Sequence, residues 1–262
     1  MRLALALCLM GGMALAQEEG TESAPSSVPR PEERPSEIGS EPPGDEASEA
    51  VPEQEPESEP ETEPEPDAGP PERLRLALPP EELEACLARL DALGVTWERA
   101  EPIADETSAD CGIENPLTVS EILPGLALEP PATLRCDTAE ALALWSHVIV
   151  RPAAGRLSER GALTAIRQGT GYYCRPRADG ALSEHSFGNA VDVMAFVFAD
   201  GPPVAVEPRE RDGTMAEAFQ DAVRAGACLW FTTVLGPGTD ADHADHLHLD
   251  IKARDGGFRL CQ

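Results

Sequence analysis

The chain has 262 residues, with 20 basic and 48 acidic side chains and a formal net charge of −28. Such acidity argues against nucleic acid and anionic lipid as partners, because both are polyanions. The length suits one domain or two small ones.

The first residues, MRLALALCLMGGMALAQEE, have the build of a secretory signal peptide. Arg2 is a short basic start, Leu3 to Met13 an apolar run, and Ala14-Leu15-Ala16 a small-residue cleavage site before Gln17. The run is too short for a permanent span, and no later stretch is long and apolar enough. The mature protein, cut after Ala16, is therefore expected to be periplasmic or secreted, without stable membrane insertion. Cleavage removes Cys8 and leaves Cys86, Cys111, Cys136, Cys174, Cys228 and Cys261. An even number in an oxidising compartment predicts disulfides. Proximity suggests Cys86 with Cys111 and Cys136 with Cys174, while Cys228 with Cys261 would pin the last residues to the preceding helix. No C-x-x-C pair is present, which argues against a zinc–thiolate site.

Residues 17–72 hold 19 acidic and two basic side chains and an imperfect Glu-Pro repeat, PEQEPESEPETEPEPD. With almost no large apolar residue they cannot offset chain entropy, so a disordered acidic linker is expected. In polyproline II geometry its reach is on the order of 170 Å. From residue 73 to 262 the composition becomes that of a folded domain.

PPEELEACLARLDALG (79–94) reads as a helix stopped by Gly94. A short strand follows at VTWERAEPI. GLALEPPATLRC, with its two prolines, reads as a connection. CDTAEALALWSHVIVRPAAGRL reads as a buried helix capped by Asp137 or Thr138. ALTAIRQGTGYYCR is a strand with a Gly-rich bend, AVDVMAFVFADG a strand of eight to ten residues, GTMAEAFQDAVRAGACLWF a helix, and DHLHLDIKA the final strand. Trp97, Trp145 and Trp230 are expected in the core, and His147 in the core or on a helix face. Interspersed helices and strands predict a single α+β domain, disulfide-bonded, with a small antiparallel sheet.

Four of the five histidines fall in two short segments, SEHSFGNAVDV and DADHADHLHLDI. In the first, Gly188 allows a tight turn between His185 and Asp192. Strand alternation would put Asp192, Met194, Phe196 and Phe198 on one face, where a carboxylate is costly unless paired or metal-bound. In the second, His246, His248 and Asp250 share one strand face and Leu247, Leu249 and Ile251 the other. Imidazole and carboxylate donors without thiolate favour zinc. His185, Asp192 and His248 would supply three protein ligands and leave a fourth position to water, the pattern of catalytic zinc sites. Ser183 is expected to cap the turn, and Asp240 and Asp242 to coat a loop or bind calcium weakly.

Ser183-x-His185-x-x-Gly188-x-Ala190-x-Asp192 resembles the first signature of the D-Ala-D-Ala carboxypeptidase and murein endopeptidase group of zinc peptidases. The run from His243 through Asp245 and His246 to His248 resembles their second. More closely, GYYCR, SEHSFGNAVDV, VLGPG and DHLHLD, with six cysteines, resemble the bacterial extensin-like C-terminal domain family over about residues 80–262. The resemblance implies that His185, Asp192 and His248 bind zinc. It implies that His246 or Asp245 is the general base, with His246 favoured, and that Arg175 contacts the scissile carbonyl. His243 would lie in support or beside the substrate. The expected activity is hydrolysis of amide bonds in peptidoglycan peptides. A zinc-holding envelope module that binds wall peptides without cutting them, or a disulfide-held structural protein without metal, are the alternatives. The sequence carries no signal for oligomeric state.

Overall fold

The computed structural model describes residues 69–262. The expected signal peptide and nearly all of the acidic linker lie outside the described residues.

Helix α1 (Glu72–Arg75) is a single turn. Helix α2 (Pro80–Leu93) starts at a Pro pair, carries Glu81 and Glu82 in its first turn and stops at Gly94 with φ 76°, as its sequence predicts. It buries Leu83, Cys86, Leu87 and Leu90, one stripe at helical spacing. Strand β1 (Thr96–Arg99) follows, then β2 (Ile103–Ala104) and β3 (Gly112–Ile113), which pair as a small separate sheet. Strands β4 (Leu117–Leu123) and β5 (Leu126–Leu134) form a hairpin. Helix α3 (Cys136–Trp145) continues through a wider π turn at 146–150 into α4 (Arg151–Ala154). The remaining elements are β6 (Leu163–Gln168), β7 (Ala190–Phe198), β8 (Val204–Ala205), α5 (Met215–Ala227), β9 (Thr233–Leu235), β10 (Leu247–Asp250) and β11 (Leu260–Cys261).

The main sheet runs β1-β4-β5-β6-β7-β10-β9-β11, with β8 also on β7. The α+β class holds, but the sheet is neither small nor wholly antiparallel. It has nine strands, and β5–β6 and β9–β11 are parallel. The chain leaves β5, crosses through α3 and α4 and returns in the same direction, and such a crossover produces a parallel pair. DHLHLD is not the last strand, since β11 follows.

Three further expectations are corrected. The stretch expected as a connection is β5. Its Pro130 and Pro131 sit where the β4 register shifts, outside the paired positions, so neither has to donate to the ladder. Helix α3 begins at Cys136 without a side-chain cap. Thr138 Oγ1 instead donates to the carbonyl of Gly188 at 2.8 Å, tying the helix to the first histidine segment. The disulfides are Cys86–Cys136, Cys111–Cys174 and Cys228–Cys261. Only the last matches sequence proximity. The first joins α2 to the start of α3, and the second ties the loop before β3 to the segment after β6.

The core gathers around Trp145, which is fully buried against Phe196 and Phe231 and donates from Nε1 to the carbonyl of Val223 at 2.9 Å. Trp97 and Trp230 are partly buried against the core, and His147 is exposed on the π turn. Strand β7 feeds the core with Val191, Val193, Phe196 and Phe198. Strict alternation would separate the first two from the last two. It breaks because Gln168 and Arg167 of β6 pair with Val193 and Ala195, leaving Met194 as an extra residue. The bulge lets Asp192 face away from the core while Phe196 and Phe198 face into it, so the expected common face does not exist.

Candidate metal centre

His185 lies in a short 3₁₀ turn (Glu184–Phe187) between Ser183 and Gly188. Gly188 has φ 66°, and a Cβ there would sit 2.3 Å from Ile113 Cδ1. Only glycine fits this turn, which delivers the chain from His185 into β7. Ser183 starts the turn through its carbonyl, which accepts from Ser186 N at 2.9 Å. Its side chain is not the cap. Asp192 on β7 is paired in register with His248 on β10. Leu247 and Leu249 turn to the core, which sends His248 and Asp250 to the opposite face.

The structure brings together the three residues whose types suggested ligands. His185 Nε2, His248 Nδ1 and Asp192 Oδ1 form a triangle with every side 3.1 Å. All three residues are buried. The distal nitrogen of each imidazole is occupied. His185 Nδ1 donates to the carbonyl of Gly171 at 2.7 Å, and His248 Nε2 donates to Asp250 Oδ2 at 3.1 Å. These bonds select the tautomers whose lone pairs point at Asp192 and at each other. With both rings neutral in these tautomers, three acceptors converge, an arrangement that a cation satisfies; without a cation, a proton on His248 Nδ1 fills that place and is donated to Asp192. Zinc–ligand distances of about 2.0–2.1 Å in a tetrahedral site imply donor separations of about 3.3 Å, close to those found. The group could therefore hold a metal ion.

The protein groups polarise one another. Burial pushes the Asp192 carboxyl up, but hydrogen bonds and charge from His185 and His248 more than reverse this and hold it well below the usual carboxylate range. Burial pulls the His248 imidazole down, yet the bonds to Asp192 and Asp250 prevail and raise it to about 9. Burial likewise pushes Asp250 up, but the bond and charge of His248 together with bonds from Thr233 and the Lys252 amide lower it on balance.

His246 stands beside the triangle, with Nε2 3.7 Å from Asp192 Oδ1. Its Nδ1 donates to Asp245 Oδ1 at 2.9 Å. The Asp245 side chain is 75% exposed, so it reaches the site through His246. His243 pairs with Asp240 at 2.6 Å, and its ring centroid lies 5.7 Å from that of His248. A cavity of about 570 Å³ meets the triangle at His248 and is lined also by His243, His246, Arg175, Lys252 and Arg254 among others. Arg175 is exposed on its wall. Cys174, beside it, is tied to Cys111, and Tyr173 N donates to the His185 carbonyl at 3.2 Å.

Sequence reasoning did not assign Asp250 a role, although alternation places it on the His248 face. It also passed over Glu184, Asn189 and Lys252. Glu184 is buried and accepts from Asn189 Nδ2 and Lys252 Nζ, each at 2.8 Å. Lys252 N donates to Asp250 Oδ1 at 3.0 Å. The two histidine segments are thus joined behind the ligands. No helix among the described residues is long and apolar enough to cross a membrane.

Residues 84–262 match the protein family described as Extensin-like protein C-terminus. No curated protein and no solved structure matches the chain significantly.

Proposed function

The chain belongs to the extensin-like protein C-terminal family, and on that premise we propose that its domain is an exported zinc peptidase that hydrolyses amide bonds in peptidoglycan peptides. One observation carries the reading: three donor atoms converge beside a cavity that His248 lines, next to an imidazole already backed by a carboxylate. The resemblance of both histidine segments to those of murein endopeptidases supplies the substrate class. Three disulfides suit an oxidising compartment, in line with the signal peptide read at residues 1–16.

His185, Asp192 and His248 would hold the ion. Zinc bound there supplies Lewis acidity, polarising a carbonyl and acidifying a water molecule. His246 Nε2, freed as a base by the Nδ1 bond to Asp245, takes the proton of the attacking water and returns it to the leaving amine. Asp245 holds the ring and stabilises the imidazolium. Arg175 offers guanidinium donors to the oxygen on which negative charge builds.

The test is metal analysis of the purified protein followed by digestion of isolated sacculi and mass identification of released peptides. One zinc per chain with new peptide ends is the expected result. Zinc without cleavage under any condition would leave a binding module, and no bound metal would remove the reading altogether.

A further inference from the structure

A second cavity, of about 420 Å³, adjoins the one that meets the triangle. Its apolar lining includes Leu76, Leu182, Phe187 and Ala253, and its carboxylates Glu72 and Asp110. Glu184 and Lys252 line both cavities, so their ion pair is the wall the two share. The sides differ in charge. The triangle side gathers Arg175, Arg177 and Arg254 with Asp242 and Asp250; Arg177 pairs with Asp179, and Asp250 is engaged by His248 and the Lys252 amide. On the far side no basic residue but Lys252 lines the cavity, and Lys252 is neutralised by Glu184. Glu72 pairs with Arg75. Asp110 uses Oδ1 to accept from Glu72 N at 2.8 Å, and among the described residues its Oδ2 has no hydrogen bond. Residues 69–262 hold 30 acidic and 17 basic side chains. Arg175 and Arg254 have no carboxylate partner among the described residues, so the free positive charge on this side of the wall runs against the composition of the domain.

We infer that the two cavities form one substrate cleft, polarised by charge, which takes a peptide with a carboxylate on the triangle side and a free ammonium group in the second cavity. That the ligand is cut as well as bound rests on the peptidase reading. The arginines attract the carboxylate, Asp110 attracts the ammonium group, and the apolar floor covers the methylenes between them. Opposite charges at the two ends fix the direction in which the peptide lies, because the reversed orientation places like charges together.

The experiment uses the full chain, stripped of metal with a chelator so that no turnover intrudes, and calorimetry with soluble stem peptides from peptidoglycan. The peptides are used with free amines and after N-acetylation with acetic anhydride. Acetylation is expected to weaken binding about tenfold. Ala253→Trp, which fills the second cavity from its rim, should bring the free-amine peptides to the same weak affinity and abolish the difference. Asp110→Asn should remove most of the preference for the free amine, which keeps the proposal testable if the Trp variant misfolds. Equal affinity for free and acetylated peptides, no binding of either, or an Ala253→Trp protein that binds like wild type would overturn the cleft. If binding follows expectation but zinc-loaded wild type cuts neither peptide, the cleft stands as a peptide-binding site and the hydrolytic reading fails.

Discussion

Asp250 is the residue whose replacement reports most directly on how the triangle is aimed. Its carboxylate fixes the tautomer of His248 without touching the other two donors. Asp250→Asn leaves all three donor residues in place and should weaken zinc affinity about 10–100-fold, the usual cost of losing such a partner. Competition with a fluorescent chelator measures this, and unchanged affinity would mean that packing alone orients His248. Protons give a second handle. His248 is raised to about 9, so at neutral pH the chelated protein holds a proton that metal must displace. Zinc uptake at pH 7 should release about one proton, and affinity should climb about tenfold per pH unit until it levels off near pH 9. Calorimetry in buffers of different ionisation heat counts the proton. The same raised value stabilises the chelated fold fully below the ordinary imidazole value of 6.5, and this contribution is lost as pH rises through about 9. The two base candidates separate by geometry. His246→Ala should cut turnover by roughly 10²–10⁴ while retaining zinc. Asp245→Ala should cost less, because Asp245 acts on the ring of His246 and is itself largely exposed. An inactive Asp245→Ala beside an active His246→Ala would reverse the assignment.

The turn and the two strands that carry these side chains depend on a few backbone positions. Gly188 combines φ 66° with a Cβ position already filled by Ile113. Gly188→Ala should therefore cost about 1–3 kcal/mol from backbone conformation alone, with further loss from overpacking. A lowered Tm together with weaker zinc binding is the expected pair of results, and an unaltered Tm would show that the turn can relax without strain. This level also shows what could be read from residues alone. His248 and Asp250 were legible because a strand repeats every two residues and Leu247 and Leu249 mark the buried side. Gly188 was legible because His185 and Asp192 need a reversal between them. The bulge at Met194 was not, since it exists only through the register with β6, which lies far away in sequence. The same reason hid β5, whose prolines look like breakers until its pairing shows that neither has to donate.

Across the whole molecule, the disulfides close loops with sequence separations of 50, 63 and 33 residues. Loop-closure entropy alone would give each about 4 kcal/mol, so the three are expected to matter about equally for stability. Cys228–Cys261 was legible from its place at the chain end, but the pairing of the other four was not, because nearness in sequence says nothing of how α2 packs on α3. They are not equal for the site. Cys174 stands between Tyr173, whose N–H holds the His185 carbonyl, and Arg175 on the cavity wall. Cys228–Cys261 joins the end of α5 to the edge strand β11, which is separated from β10 by β9. Replacing Cys111 and Cys174 together by serine should thus lower both Tm and zinc affinity. Replacing Cys228 and Cys261 should lower Tm by a similar amount and leave zinc affinity within about twofold, since sites that share no partners contribute nearly independently. Thermal unfolding and chelator competition on the two double variants measure both quantities. If both lose zinc equally, the triangle depends on global stability and not on the strap through Cys174. If neither does, the histidine segments are held by their own network through Glu184, Asn189 and Lys252, and the disulfides serve the scaffold alone.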